Sequence, residues 1–143
     1  MAIWRDEHVT VEALNAMRPG TILETLGITF TALGEDTIEG VMPVDHRTVQ
    51  PLGLLHGGAS VVLAESLGST ASWLCIDRTQ SQCVGLEVNA NHIRALRDGV
   101  VTGIARPVHL GRSTHVWDCR IRDEEDRLVC ISRLTMAVVP KTG

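Results

Sequence analysis

Apolar and polar positions recur along this chain with a period that changes from segment to segment, and the changes mark the elements. Val11, Leu14 and Met17 lie three apart behind Thr10, which predicts a short helix over 10–17, closed by Pro19-Gly20. Residues 26–33 and 37–44 read as two strands joined by a hairpin turn at Gly34-Glu35-Asp36. In the second, Ile38, Gly40, Met42 and Val44 share one face and Glu39 points the other way. Residues 45–55 are rich in turn formers, and Pro51 makes them irregular. Residues 56–76 are too long for a strand and rich in alanine, leucine and serine, so they predict a helix of about five turns. It is apolar nearly all round, the mark of a buried helix.

Four strands are expected after it. Over 83–94, Val84, Leu86, Val88 and Ala90 would share a face opposite Gly85, Glu87, Asn89 and Asn91. The strand over 100–109 meets Pro107, which calls for an edge position or a bulge. Over 114–122, His115, Trp117, Cys119 and Ile121 fall together, and over 128–139 Leu128, Cys130, Leu134, Met136 and Val138 do. Short turns at Arg97-Asp98-Gly99, Leu110-Gly111-Arg112 and Asp123-Glu124-Glu125-Asp126 imply antiparallel neighbours. One apolar helix against an antiparallel sheet is an α+β layer, and the sheet must curve around the helix.

Composition narrows the possibilities. With 143 residues the chain is expected to form one domain. A formal net charge of -4 and a single lysine, Lys141, argue against sequence-nonspecific nucleic-acid binding. No apolar run is long enough to span a bilayer, and Asp6-Glu7 directly after Arg5 is unlike a signal peptide. Cys75, Cys83, Cys119 and Cys130 have no C-x-x-C spacing and read as small core residues of a protein kept in a reducing cytoplasm. The six histidines show no H-E-x-x-H spacing, so neither a metal nor any other cofactor is indicated.

The chemistry gathers on the long helix. Glu65 is a lone acid among Val61, Val62, Leu63, Ala64 and Leu67. Burial penalises the charged form of a carboxylate, which suits such a group to act as general base or nucleophile; the plainer alternative is an acid that escapes through a gap or meets an arginine. Gly57 and Gly58 open the helix, where backbone N–H groups lack intrahelical partners and can bind developing negative charge. The same glycines could serve tight packing alone. Gly57 and Glu65 stand about 12 Å apart along the helix, too far for one carboxylate to attack a carbonyl held at its own helix start. Either a bend places the reacting group between them, or Glu65 works with Gly57 of another subunit around a two-fold axis, and the second is the preferred reading. Ser69 lies on the face of Glu65, and Gln50 and His56 flank the glycine entry with donors for a carbonyl. Arg94, Arg97, Arg106 and Arg112 fall near strand ends as candidates for a phosphate-binding rim, though solvated surface arginines are commoner. There is no G-x-S-x-G elbow and no P-loop, which disfavours a serine-triad hydrolase and a nucleotide phosphate cradle.

The stretch Pro51-Leu52-Gly53-Leu54-Leu55-His56-Gly57-Gly58-Ala59, followed by Ala64-Glu65-Ser66-Leu67-Gly68-Ser69, resembles the hotdog-fold acyl-CoA thioesterases. It resembles in particular the branch that includes the 1,4-dihydroxy-2-naphthoyl-CoA hydrolase of menaquinone synthesis and the enterobactin-pathway proofreading thioesterase. Residues 84–92 and Ser132-Arg133-Leu134-Thr135 extend the likeness over roughly Leu14 to Val139. It implies a long helix wrapped by a curved sheet, two protomers joining their sheets, and dimers pairing into a homotetramer. It implies that Glu65 is the catalytic carboxylate and that the Gly57 N–H, beside Gly58, polarises the thioester carbonyl. Gln50 and His56 would support that carbonyl, and Ser69 would position water or the acyl ring. His92 and Arg94 would border the acyl or pantetheine path, and Arg106 and Arg112 would meet nucleotide phosphates. The expected reaction is hydrolysis of an aryl or medium-chain acyl group from coenzyme A, or from an acyl carrier protein. A hotdog-fold dehydratase or hydratase and a non-catalytic acyl-thioester binding module are the rival readings.

Overall fold

A computed structural model describes residues 1–142. The elements run α1 (Val11–Asn15), α2 (Ile22–Leu26), β1 (Thr29–Leu33), β2 (Ile38–Pro43), α3 (Gly57–Cys75), β3 (Ser81–His92), β4 (Val100–Leu110), β5 (Thr114–Arg122) and β6 (Leu128–Pro140). The fold is the expected α+β hotdog arrangement, with α3 packed on a curved six-stranded antiparallel sheet of order β1-β2-β4-β5-β6-β3.

Three expectations need correction. Residues 26–28 are not strand: Thr21 caps α2 by accepting from the Leu23 N–H, and Gly27 ends it in the left-handed region at φ 71°. The strands after α3 are not all sequential neighbours. β4, β5 and β6 form a meander, but β3 pairs with β6 at the far edge. Residues 93–99 then carry the chain back across the sheet, with the Ile93 N–H bonded to the Val129 carbonyl and the Leu55 N–H to the Leu96 carbonyl. Finally, β3 does not keep one apolar face. Its register with β6 shifts between Gly85 and Glu87, so Leu86 is an extra residue and the side chains change sides. Val84 and Leu86 are exposed, whereas Cys83, Val88 and Ala90 pack on the core. At Pro107 the bulge alternative holds: the β4–β5 register shifts between Pro107 and His109.

The core lies between α3 and the sheet. Leu63, Leu67 and Leu74 are at most 2% exposed, and each such burial contributes about 1.5–3 kcal/mol. Gly40 and Gly103 sit opposite one another on β2 and β4 and leave a dent that Leu67 fills; a Cβ on Gly103 would lie 2.8 Å from Leu67 Cδ1. One polar knot is buried here. Trp117 Nε1 donates to Ser72 Oγ at 2.7 Å, and His115 Nδ1 stands 3.1 Å from the same oxygen. The helix is apolar nearly all round, but the sheet of its own chain covers only one side. Val61, Val62, Glu65, Ser66, Ser69, Thr70 and Trp73 stay half-buried on the other.

Candidate active site

The half-covered side of α3 faces the edge strand β3. Glu65, Ser69 and Trp73 recur every four residues and form one stripe. Three juxtapositions fix how β3 runs beside it: His92 lies over Gly57, Gly85 lies against Glu65, and Ser81 and Gln82 share a cleft with Trp73. Strand numbers fall as helix numbers rise, so the two run antiparallel with a groove between them.

Glu65 sits midway along this groove. Its carboxylate rests against Gly85, where a Cβ would lie 2.9 Å from Oε1. Among the described residues it has no hydrogen-bond or ion-pair partner, so the alternative of an acid neutralised by a nearby arginine does not hold within the chain. Ser69 donates to the Ser66 carbonyl at 3.5 Å rather than to Glu65.

A second cluster occupies the helix start. Gln50, Gly57, His92 and Arg94 line one cleft of about 310 Å³. His56 caps α3: its Nδ1 accepts from the Gly58 N–H at 2.8 Å, which places the proton of the neutral ring on the exposed Nε2. Gly58 is therefore satisfied internally, while the Gly57 N–H has no partner among the described residues. Gln50 Oε1 accepts from the Leu52 N–H, which turns its amide nitrogen out as a free donor. The loop behind it is braced. Arg47 bonds Asp45 at 2.7 Å and holds that carboxyl down at about 2, chiefly through the side-chain hydrogen bond. Arg97 donates to the Leu52 carbonyl at 3.3 Å, which ties this loop to residues 93–99. Two donors, the Gly57 N–H and the Gln50 amide, thus line a cleft at the positive end of a 19-residue helix.

The remaining candidates lie elsewhere. Arg106 is on the outer face of the sheet, 3.7 Å from Asp36 and bordering a cleft with Asp118, Arg120 and Arg122. Arg112 is exposed in the β4–β5 turn. Glu65 and Ser69 are not among the residues lining the cleft at Gly57, so a single chain holds the two halves of the expected site apart. None of the cysteines offers a thiolate near neutral pH. Burial pushes Cys75 and Cys119 up to about 12 and raises Cys83 and Cys130 as well. The reading of the sequence passed over Gly85 as a site residue. A glycine between Val84 and Leu86 within a strand was its signal, because such glycines mark a close approach.

Residues 52–130 match the family described as the Thioesterase superfamily. Thioesterase PA1618 of Pseudomonas aeruginosa is 58% identical over 143 residues, covering 100% of this chain and 98% of that protein. A crystal structure of it with one glutamine changed to alanine matches at a TM-score of 0.95, over 98% of this chain and 100% of that one. The 1,4-dihydroxy-2-naphthoyl-CoA hydrolase of Escherichia coli is 55% identical, covering 96% of this chain and 99% of that protein. The thioesterase SAV0944 of Staphylococcus aureus, 40% identical, has been solved with a glutamate changed to alanine, at a TM-score of 0.82 over 85% of this chain and 100% of that one. It has also been solved with a glutamine changed to alanine, at 0.80 over 83% and 98%.

Proposed function

The chain belongs to the thioesterase superfamily, as a hotdog-fold thioesterase related to 1,4-dihydroxy-2-naphthoyl-CoA hydrolase and to proofreading thioesterases of the EntH type, and on that premise we propose that it hydrolyses aryl or medium-chain acyl-CoA through Glu65 and the Gly57 N–H. The observation that carries this reading is the unpaired carboxylate of Glu65, held half-buried against Gly85 in an open groove. As general base, Glu65 takes a proton from water while the water oxygen adds to the thioester carbon. The carbonyl oxygen becomes an oxyanion, bound by the Gly57 N–H with the Gln50 amide beside it. The C–S bond then breaks, the acid departs, and the coenzyme A thiolate takes up a proton. As nucleophile, the same carboxylate adds to the carbon, expels the thiolate, and leaves an anhydride that water opens.

A complete site combines Glu65 of one subunit with Gly57 of the partner subunit. Two features support this: the helix spacing, and β3, a 12-residue strand whose outer edge is unpaired among the described residues and open to the β3 of a second copy. Pairing of such dimers gives the tetramer. The two variants of the Staphylococcus aureus relative alter a glutamine and a glutamate fifteen residues apart, the same separation as Gln50 and Glu65, which supports assigning function to both. His92 and Arg94 then border the pantetheine path, and Ser69 faces the acyl group. The four free cysteines suit a cytoplasmic enzyme, and no described helix is long and apolar enough to cross a membrane.

The test is coenzyme A release across benzoyl-, hydroxybenzoyl-, dihydroxynaphthoyl-, phenylacetyl- and medium-chain acyl-CoA. Glu65→Gln should lower kcat by about 10²-fold or more with the fold intact by circular dichroism. Turnover near that of the unaltered protein would refute the role of Glu65. An intact thioester with an altered double bond would instead identify a dehydratase or hydratase.

A further inference from the structure

The half-covered stripe of α3 does not end at Glu65. Eight residues further along the stripe stands Trp73, about 12 Å away at the helical rise. On the strand side, Gly85 to Ser81 spans about 13 Å, so the two walls keep pace. At this end Trp73, Arg78, Ser81, Gln82 and Lys141 line a cleft of about 400 Å³. Ser81 and Gln82 are neutral, and its two charged groups are both cationic. The Arg78 guanidinium stacks over the Trp73 ring at 4.0 Å, and the chain's only lysine is tied down beside it, Lys141 Nζ donating to the Arg78 carbonyl at 3.2 Å. The Lys141 backbone N–H bonds the Gln80 carbonyl at 2.8 Å, which pins the end of β6 against this loop. The nearest acid to Arg78 is Asp6, at a loose 4.0 Å on the surface. Two positive charges therefore border a cleft walled by an indole, in a protein of net charge -4.

Resting on the thioesterase reading, we propose that this cleft is the subsite for the far end of the acyl group, and that it selects acyl chains ending in a carboxylate. The thioester lies at Glu65, the chain runs past Ser69, its methylenes lie on Trp73, and the distal carboxylate meets Arg78 and Lys141. A guanidinium already stacked on a ring loses less freedom when it binds an anion. Charge-assisted bonds of this kind are the strong ones.

Suberoyl-CoA and octanoyl-CoA have the same chain length and differ only in the terminal group, so their comparison isolates the subsite. Affinities are measured by calorimetry on the full-length Glu65→Gln protein, where binding is read without turnover. Adding Arg78→Gln should lower the affinity for suberoyl-CoA relative to octanoyl-CoA by about tenfold, and Arg78→Lys should restore part of it. In the otherwise unaltered enzyme, the same substitution should lower the suberoyl-to-octanoyl ratio of kcat/KM. A ratio that Arg78→Gln leaves within twofold, or one that Arg78→Lys fails to raise, overturns the proposal. Failure of the underlying reading looks different: Glu65→Gln would retain turnover, whatever the two ligands do at Arg78.

Discussion

Gly85→Ala tests whether β3 positions the reacting carboxylate. The added methyl would lie 2.9 Å from Glu65 Oε1, whereas ordinary contact begins near 3.4 Å, so the carboxylate must retreat by about half an ångström. Misplacing a reacting group by about 1 Å costs on the order of 10²-fold, so about tenfold in kcat is expected here. Stability should move the other way. The displaced atom is the free end of a flexible side chain, Met136 Sδ at 3.9 Å is an ordinary neighbour, and alanine in a strand gains about 0.5–1 kcal/mol over glycine. The assay is kcat from coenzyme A release, paired with a thermal melt. A variant with an unchanged or higher Tm and a tenfold lower kcat fits. Full activity in a folded Gly85→Ala protein would refute the positioning argument. A double-mutant cycle closes the remaining gap: over Glu65→Gln, the same alanine should cost nothing further, since its effect passes through the carboxylate.

A shared site predicts complementation. Gly57→Ala should be nearly inactive in kcat/KM, because its Cβ would lie 2.7 Å from His92 Nε2 and drive the ring into the cleft. Mixing it with Glu65→Gln under exchange should recover about a quarter of the native activity, from the one intact site in each mixed dimer; no recovery would place both groups in one subunit. Stability should also fall in mild acid. Burial lowers the pKa of His115 below its ordinary 6.5, with His109 adding a smaller push, so the unfolded chain takes up a proton that the folded one refuses. The His115 contribution is complete above about pH 6.5 and declines as pH falls toward the lowered value. Tm measured between about pH 7.5 and 5 should drop, and His115→Gln should flatten the slope; an equal slope would refute it.

Much of the architecture is written in the residues. The long helix was legible to within a residue at either end, and β5 at both ends, because a long alanine- and leucine-rich run and a clean alternation leave no competing reading. Gln50, Gly57 and Arg94, chosen for their chemistry, meet in one cleft with His92, which only the family resemblance pointed to. What escaped was of two kinds. Helix α2 spans only five residues, although Thr21 and Glu24 have capping spacing and Gly27 is a ready terminator. The edge position of β3, its switched face and the seat of Glu65 on Gly85 depend on pairings formed across the fold, and one extra residue reverses a strand's parity. The helix was read as buried all round because its composition is that of an interior helix. Its open side is where Glu65 lies.

The crossover that sends β3 to the far edge has a consequence for biosynthesis. Among the described residues the only ladder β3 forms is with β6, and it reaches from His92↔Cys130 to Ser81↔Pro140. During translation β3 emerges and must wait until β4, β5 and β6 have followed. Until then one side of α3 has no wall and the strand has two bare edges. The meander can form early, from contacts close in sequence, but the groove that holds Glu65 closes only when the last strand arrives. A ribosome stalled before residue 130 would therefore display an apolar helix and an unpaired strand together, the combination that chaperones recognise and that aggregates most readily.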